Sequence, residues 1–423
     1  MLTIKKITNN PQEIIDRLKI KNFDAKEKVA QIVELDKEKR NTQKELDDIK
    51  AEQNKIAKEI GLLFKENKIH EANKAKARAT ELKNISKKKE TSFSQLDEAI
   101  YQLVVQIPNL PHPSVPLGKS DADNEKVKEG GELPSFDFEA LPHWDLAKKY
   151  DLIDFELGNK LTGAGFPVYK GKGAKLQRAL INFFLAEGEK AGYQEIMPPI
   201  MVNEQSAYAT GQLPDKDGQM YHATVDNFYL IPTAEVPITN IYRDVILEEK
   251  DFPIKMTGYT PCFRREAGSY GKDVKGLNRL HQFDKVEIVQ IENPKNSYNT
   301  LEQMVSYVES LVQKLGLPYR IVKLCGGDLS FTSALTYDFE VYSGAQKRWL
   351  EVSSVSNFES FQANRLKLRF KNKETKNKQL AHTLNGSALA LPRILASLLE
   401  NYQTKDGITI PEALVPFTGF DKI

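Results

Sequence analysis

Charged and hydroxyl-bearing side chains recur at a spacing of two along several stretches of this chain, and that pattern points to its chemistry. In TPCFRREAGSYG, residues 260–271, Cys262, Arg264 and Glu266 alternate. In FDKVEIVQ, residues 283–290, Phe283, Lys285, Glu287 and Val289 do the same. A spacing of two places side chains on one face of a strand. A charge facing inward there is costly to bury unless a ligand or partner meets it. An Arg and a Glu opposite an aromatic ring and a second Glu suit a nucleotide, guanidinium to phosphate and ring to base. In IPTAEVPIT, Thr233 and Glu235 flank Ala234, a hydroxyl and a carboxylate able to hold a small amino acid. In WLEVSSVSN, Glu351 with Ser353 and Ser354 offers the hard oxygens that suit Mg²⁺, an ion that keeps several waters and bridges substrate phosphates. In HTLNGSALALPR, Asn385-Gly386-Ser387 is expected to end a strand and start an amphipathic helix, with Arg393 in its second turn. No P-loop pattern and no glycine fingerprint after a strand is present, so a nucleotide would bind without either. Taken alone, the 260–290 hairpin suits a solvated sheet edge equally well.

These residues need elements to position them. The 260–290 stretch reads as two strands joined by a long polar loop. Helix-like segments (141–150, 174–192) and strand-like segments (227–231, 285–291, 336–342) follow no strict βαβ rhythm, which predicts an α+β fold with an antiparallel sheet. Ahead of them, residues 25–107 are rich in Lys, Glu, Gln and Ala, with no proline before Pro108. Leu46, Ile49, Gln53, Ile56, Ile60 and Leu63 are three and four apart, and Ala75, Ala79, Leu82, Ser86, Lys89, Phe93, Leu96, Ile100 and Leu103 continue the same repeat. The spacing predicts two long helices folding back antiparallel as a coiled coil, broken near Glu66-Asn67-Lys68. Lys74, Lys76, Arg78, Lys83, Lys87, Lys88 and Lys89 on the returning helix could track a phosphate backbone. A dimerisation coiled coil with a solvated lysine face fits the arm as well. The boundaries read as a helical arm over 1–106, a Pro-, Gly- and Asp-rich linker over 107–134, and a globular body over 135–423.

Composition narrows the class. The chain has 423 residues, enough for two or three domains, and a formal net charge of only +2, so any basic surface is local. Two cysteines far apart and six scattered histidines indicate neither a disulfide framework nor a zinc site. No apolar run approaches the roughly 18 residues of a membrane span, and the N-terminus lacks a signal-peptide core. A soluble protein of a reducing compartment, most simply the cytoplasm, is expected.

Phe-Arg-x-Glu at 263–266, a loop, then His-x-Phe at 281–283 resembles motif 2 of the class II aminoacyl-tRNA synthetases. Residues 174–202, with Pro198 and Pro199, resemble motif 1, and 382–403 resembles motif 3. With the hairpin arm, the PNLPHPSVP stretch, TAEVP and HTLNGS, the whole chain is similar to the bacterial-type seryl-tRNA synthetases. The resemblance implies a class II antiparallel sheet flanked by helices, carrying an N-terminal coiled-coil arm that grips tRNA. It implies ATP-dependent activation of L-serine with Mg²⁺ and transfer to tRNA(Ser), and to tRNA(Sec), by a homodimer. Thr233, Ala234, Glu235, Arg264, Glu287 and Ser387 would hold serine. Arg264, Arg265, Glu266, Phe283, Glu351, Val352, Ser353, Ser354 and Arg393 would hold ATP, with Glu351 and Ser354 on the metal and Arg264 and Arg393 as the catalytic cations. Arg265, Lys272, Lys275, Gly165 and Val355 depart from the family's usual residues, which bears on contacts to the tRNA acceptor end. An amino acid:carrier-protein ligase on the same core is the rival reading; such relatives lack the arm.

Overall fold

The computed structural model describes every residue except 216–217 and 267–274. Lys272 therefore lies outside the described residues. The chain divides into two compact units, Met1–Pro108 and Asn109–Ile423.

In the first unit, α1 (Lys26–Lys65) and α2 (Ile69–Val104) pack along their length. Val29, Ile32, Leu46 and Ile56 meet Ala72, Leu82, Leu96 and Ile100 in a buried seam. The break falls where Asn67 takes a positive φ of 63°. At 1.5 Å per residue α1 is about 60 Å long. Ion pairs step along the hairpin in opposite senses: Lys39 to Asp97, Lys89 to Glu45, and Arg78 to Glu52 at 3.0 Å. Exposed pairs of this kind add little stability, being screened by solvent. The seam dominates the stability of the pairing, and the charges select its antiparallel register. Three members of the basic stripe are thereby engaged, since Lys76 also lies 4.5 Å over the Phe64 ring. Two short helices, Ile4–Asn9 and Pro11–Lys19, precede the hairpin, with Pro11 at a helix start, where its missing N–H costs nothing.

The second unit is built on an eight-stranded sheet. Its strands, in chain order, are β1 (Glu125–Gly130), β2 (Gln194–Glu195), β3 (Ile254–Phe263), β4 (Gln282–Glu292), β5 (Tyr319–Lys323), β6 (Leu335–Ser343), β7 (Arg348–Asn357) and β8 (His382–Ala390). The spatial order is β1-β5-β6-β7-β8-β4-β3-β2, and every pair is antiparallel except β2 with β3. The strand β8 joins the two halves of the sheet, pairing with β4 on one side and β7 on the other. Five helices matter for the site: α3 (His143–Lys149), α4 (Gly171–Lys190), α5 (Glu235–Asn240), α6 (Ser297–Lys314) and α7 (Leu391–Asn401). Leu176, Leu180 and Phe184 of α4 recur every four residues, and Leu301, Met304 and Val308 of α6 at three and four, so each helix buries one stripe. A core of Ala234, Ile238, Met256, Val289, Ile291 and Phe370 lies beside one end of the β3–β4 pair.

Several local expectations shift. The stretch read as a linker is structured in part. Asn109 donates to the carbonyls of Thr332 (2.9 Å) and Phe358 (2.8 Å), and 125–130 forms β1 at the sheet edge. Its charged sequence, EKVKEG, has no apolar alternation to announce a strand, but charge is what an exposed edge needs against further pairing. The strand β3 ends at Phe263, so Arg264 and Glu266 lie just beyond it, and Glu266 has a φ of 48°. Glu235 opens a helix rather than continuing a strand. The strand β8 runs past Ser387 to Ala390, and α7 starts at Leu391 with Pro392 in its first positions. Arg393 accordingly sits in the first turn, not the second.

Candidate active site

The open face of the sheet carries a cavity of about 580 Å³. The β3–β4 pairing sets Glu287 opposite Gly258 and Phe283 opposite Cys262, so Phe283, Lys285 and Glu287 share the face that lines it. The chain enters α5 at Thr233–Glu235 from below, β7 brings residues 351–356, and the start of α7 brings Arg393. Thr233, Glu235, Arg264, Glu266, Phe283, Glu287, Glu351, Val352, Ser353, Ser354, Ser387 and Arg393 all line this one cavity. Two residues of the expected set do not. Ala234 is buried in the apolar core beside the sheet, so its side chain is turned away. Arg265 is exposed, its N–H donating to the carbonyl of Gln219 (2.9 Å).

One end is small, deep and polar. The Lys285 ammonium contacts Glu287 Oε2 at 2.5 Å and donates to the Thr233 hydroxyl at 2.8 Å, while Thr233 donates to the same Oε2 at 3.1 Å. All three side chains are buried. Glu235 is buried nearby and accepts from Gln362 Nε2 at 2.6 Å; Gln362 in turn accepts from Thr383 at 2.7 Å. Burial, reinforced by the charge of Glu287, pushes the Glu235 carboxyl up to about 7, against the bonds from Gln362 and Asn385. Two buried carboxylates that feel one another's charge, with a single ammonium paired to Glu287, form a pocket that would accept a second cation. Lys285 and Asn385 are functional candidates that motif reasoning passed over. Lys285 was visible on the right face of its strand, whereas Asn385 gave no separate signal within NGS.

The other end suits phosphates. The Arg264 guanidinium lies 5.2 Å over the Phe283 ring and donates through Nε to the Pro232 carbonyl at 3.3 Å. Part of its fork and one face of Phe283 remain open to the cavity, an arrangement for a flat ring and an anion together. Glu266 pairs with Arg279 at 3.0 Å. Arg393 donates to the carbonyls of Glu351 (2.7 Å) and Asn278 (3.2 Å), and its Nη1 stands 3.6 Å from Glu351 Oε2. The Ser353 hydroxyl donates to the Ser387 carbonyl at 2.6 Å, tying β7 to β8.

The oxygens at Glu351 and Ser354 are suited to Mg²⁺. Beneath them Asp338 sits opposite Ser354 in the β6–β7 ladder, with Oδ1 buried and lacking a hydrogen bond. Burial first, then the Glu351 charge, raise the Asp338 carboxyl well above the usual carboxylate range. That is an excess of negative charge which a cation would relieve. No group of three or more His, Cys, Asp or Glu side chains forms a closed metal cage among the described residues. An open, oxygen-poor set fits an ion held chiefly by substrate phosphates and water.

Residues 221–402 match the family described as tRNA synthetase class II core domain (G, H, P, S and T), and residues 1–111 match the Seryl-tRNA synthetase N-terminal domain. The class is therefore that of the class II aminoacyl-tRNA synthetases, which are ATP-dependent aminoacyl-tRNA ligases. The serine–tRNA ligase of Salinibacter ruber is 48% identical over 424 residues, spanning 100% of this chain and 99% of its own. That of Akkermansia muciniphila is 46% identical over 427 residues, with 100% and 99% covered. Among solved structures, seryl-tRNA synthetase from Pyrococcus horikoshii complexed with ATP superposes with a TM-score of 0.93 at 33% identity, covering 100% of this chain and 99% of that one. The cytoplasmic enzyme of Naegleria fowleri in complex with AMP gives 0.89 at 28%, covering 100% and 98%. The chain belongs to the serine–tRNA ligase family.

Proposed function

We propose that the cavity takes serine at its deep end and ATP across Arg264, Phe283 and Arg393, forms seryl-adenylate, and delivers the seryl group to tRNA(Ser). One observation carries the reading: Arg264, Glu287 and Arg393, from three separate parts of the chain, line one cavity.

The serine ammonium goes to Glu287, with Glu235, Thr233 and Ser387 around the small side chain and Asn385 and Lys285 completing the wall. Arg264 spans the serine carboxylate and the α-phosphate, Phe283 stacks on adenine, Glu266 takes the adenine amino group, and Arg393 takes the γ-phosphate. Glu351 and Ser354 would hold Mg²⁺, which supplies charge neutralisation on the phosphates. A serine carboxylate oxygen attacks the α-phosphorus, the bond to the bridging oxygen breaks, and pyrophosphate leaves with that electron pair. The 3′-terminal adenosine hydroxyl of tRNA then attacks the seryl carbonyl, and AMP leaves. A carboxylate is already a nucleophile, so catalysis rests on alignment and on fixed positive charge.

The alternative, ligation to a carrier protein, is disfavoured by the long α1–α2 hairpin, which we assign to gripping tRNA outside the cavity. Charging of tRNA(Sec) belongs to the same proposal. A homodimer is supported by exposed apolar side chains in and beside the motif 1 stretch: Met197 (89% exposed), Met201, Val225 and Phe228. Two buried free thiols, Cys262 and Cys325, accord with the cytoplasm.

Pyrophosphate exchange is the test. Serine should support it, and alanine, which leaves buried polar groups unpaired, should fail by about 10⁴. Arg264→Ala should lower serine-dependent exchange by about 10²–10³ with circular dichroism unchanged. Exchange driven equally by glycine, alanine or threonine would end the serine assignment, and near-wild-type exchange in the variant would remove Arg264 from the mechanism.

A further inference from the structure

A second polar cluster, fully enclosed and outside the cavity, grips the cavity wall from behind. His143 and Glu400 are both completely buried. Glu400 Oε1 accepts from the His143 backbone N–H (3.0 Å), from His143 Nδ1 (2.7 Å) and from Gln346 Nε2 (2.9 Å), and Oε2 accepts from the Ser343 hydroxyl. Burial alone would raise this carboxyl, but the bonds from His143 and Ser343 outweigh it and hold it below the ordinary value. With Nδ1–H committed to a carboxylate, Nε2 is an acceptor, and the Leu277 N–H donates to it at 2.8 Å.

The segment 275–278 is fitted to this imidazole. Gly276 has a φ of 68°, and a Cβ there would lie 2.2 Å from Nε2. Lys275 stands 4.6 Å over the Trp144 ring. Asn278 donates to Gln346 Oε1 at 3.1 Å, and its carbonyl accepts from Arg393 at 3.2 Å. Leu277 and Asn278 both line the cavity. Helix α7 thus holds one short segment twice, through Arg393 at its start and through Glu400 at its end.

We propose that His143 is a positioning residue for the nucleotide: braced by Glu400, it anchors Leu277 and so fixes the Asn278 carbonyl that aims Arg393. The inference rests on the reading of this cavity as an ATP site. Nothing in the cluster reaches the serine end, so its loss acts on ATP and spares serine.

Two substitutions of equal polarity separate positioning from packing. His143→Asn keeps a donor where Nδ1 was and removes the acceptor from Leu277. His143→Gln keeps an acceptor where Nε2 was. In serine-dependent pyrophosphate exchange, His143→Asn should raise the KM for ATP roughly tenfold, the size expected for stranding one buried N–H, and leave the KM for serine within about twofold. His143→Gln should raise the KM for ATP much less. Gly276→Ala, whose Cβ would meet His143 Nε2 and so force Leu277 away from the imidazole while leaving His143 in place, should reproduce the Asn result, and it carries the test if His143→Asn does not fold. The rise in Tm on adding ATP should shrink in the same order. Equal ATP KM values for the Asn and Gln variants, or ATP and serine KM values rising together, would overturn the proposal. A wild-type chain that shows no serine-dependent exchange would instead refute the proposed function itself.

Discussion

Glu235 lies buried beside Glu287, and burial and that neighbour hold its proton to about pH 7 against an ordinary 4.5. The sign of the consequence follows from proton binding: between those values the native state holds more protons than the unfolded chain, so stability falls as pH rises. The cost is absent below about pH 4.5 and complete above about pH 7. A neutral amide at the same place still accepts from Gln362, so Glu235→Gln should match wild type in acid and exceed it by up to about 3 kcal/mol at pH 8, read by denaturant unfolding. Its serine-dependent exchange should drop, because the group that destabilises the empty pocket is placed to attract an ammonium. Equal stability at pH 8 would refute the buried-charge argument. Residue types alone pointed to most of this site. Glu287 and Arg393 are charges placed in largely apolar strand and helix patterns, a mismatch that is a local signal, and Arg264 follows directly on a strand at a spacing of two from Cys262 and Glu266. Ala234 and Arg265 were drawn in by their neighbours, and only packing decides that one faces the core and the other solvent. The His143–Glu400 contact joins residues 257 positions apart, and nothing local announces it.

The α1–α2 hairpin could be read almost completely from its sequence, because a heptad seam is written in spacings of three and four and needs no distant partner. The edge strand β1 could not, since its pairing depends on β5, far away in sequence, and its own residues are polar. The same contrast makes the hairpin's stability a local property. Leu82 is 2% exposed in the seam, and Leu82→Ala should destabilise the hairpin by about 2–4 kcal/mol through lost burial and the cavity left behind. Differential scanning calorimetry of the full chain should show an earlier first transition, while serine-dependent exchange at 25 °C stays at the wild-type rate. A coincident fall in exchange would mean that the seam supports the chemistry directly.

The two compact units divide the proposed work. Every residue lining the cavity lies between 212 and 393. Deleting 28–103 should therefore spare seryl-adenylate formation and abolish charging of tRNA(Ser), with the salt dependence of tRNA binding falling as its lysines are lost. Lys74, Lys83, Lys87 and Lys88 remain exposed and outside the ion pairs of the hairpin, so they are the charges to which that slope should respond. Undiminished charging would make the hairpin an oligomerisation device instead.

The place of β8 bears on how the molecule comes to exist at all. A ribosome has released some 380 residues before the strand that welds the two sheet halves is even synthesised. Until then β4 and β7 each present an open edge, the condition in which chains stick to one another. A message cut short before codon 390 would thus yield an inert, chaperone-bound fragment. It could not yield a half-working enzyme that hoards serine.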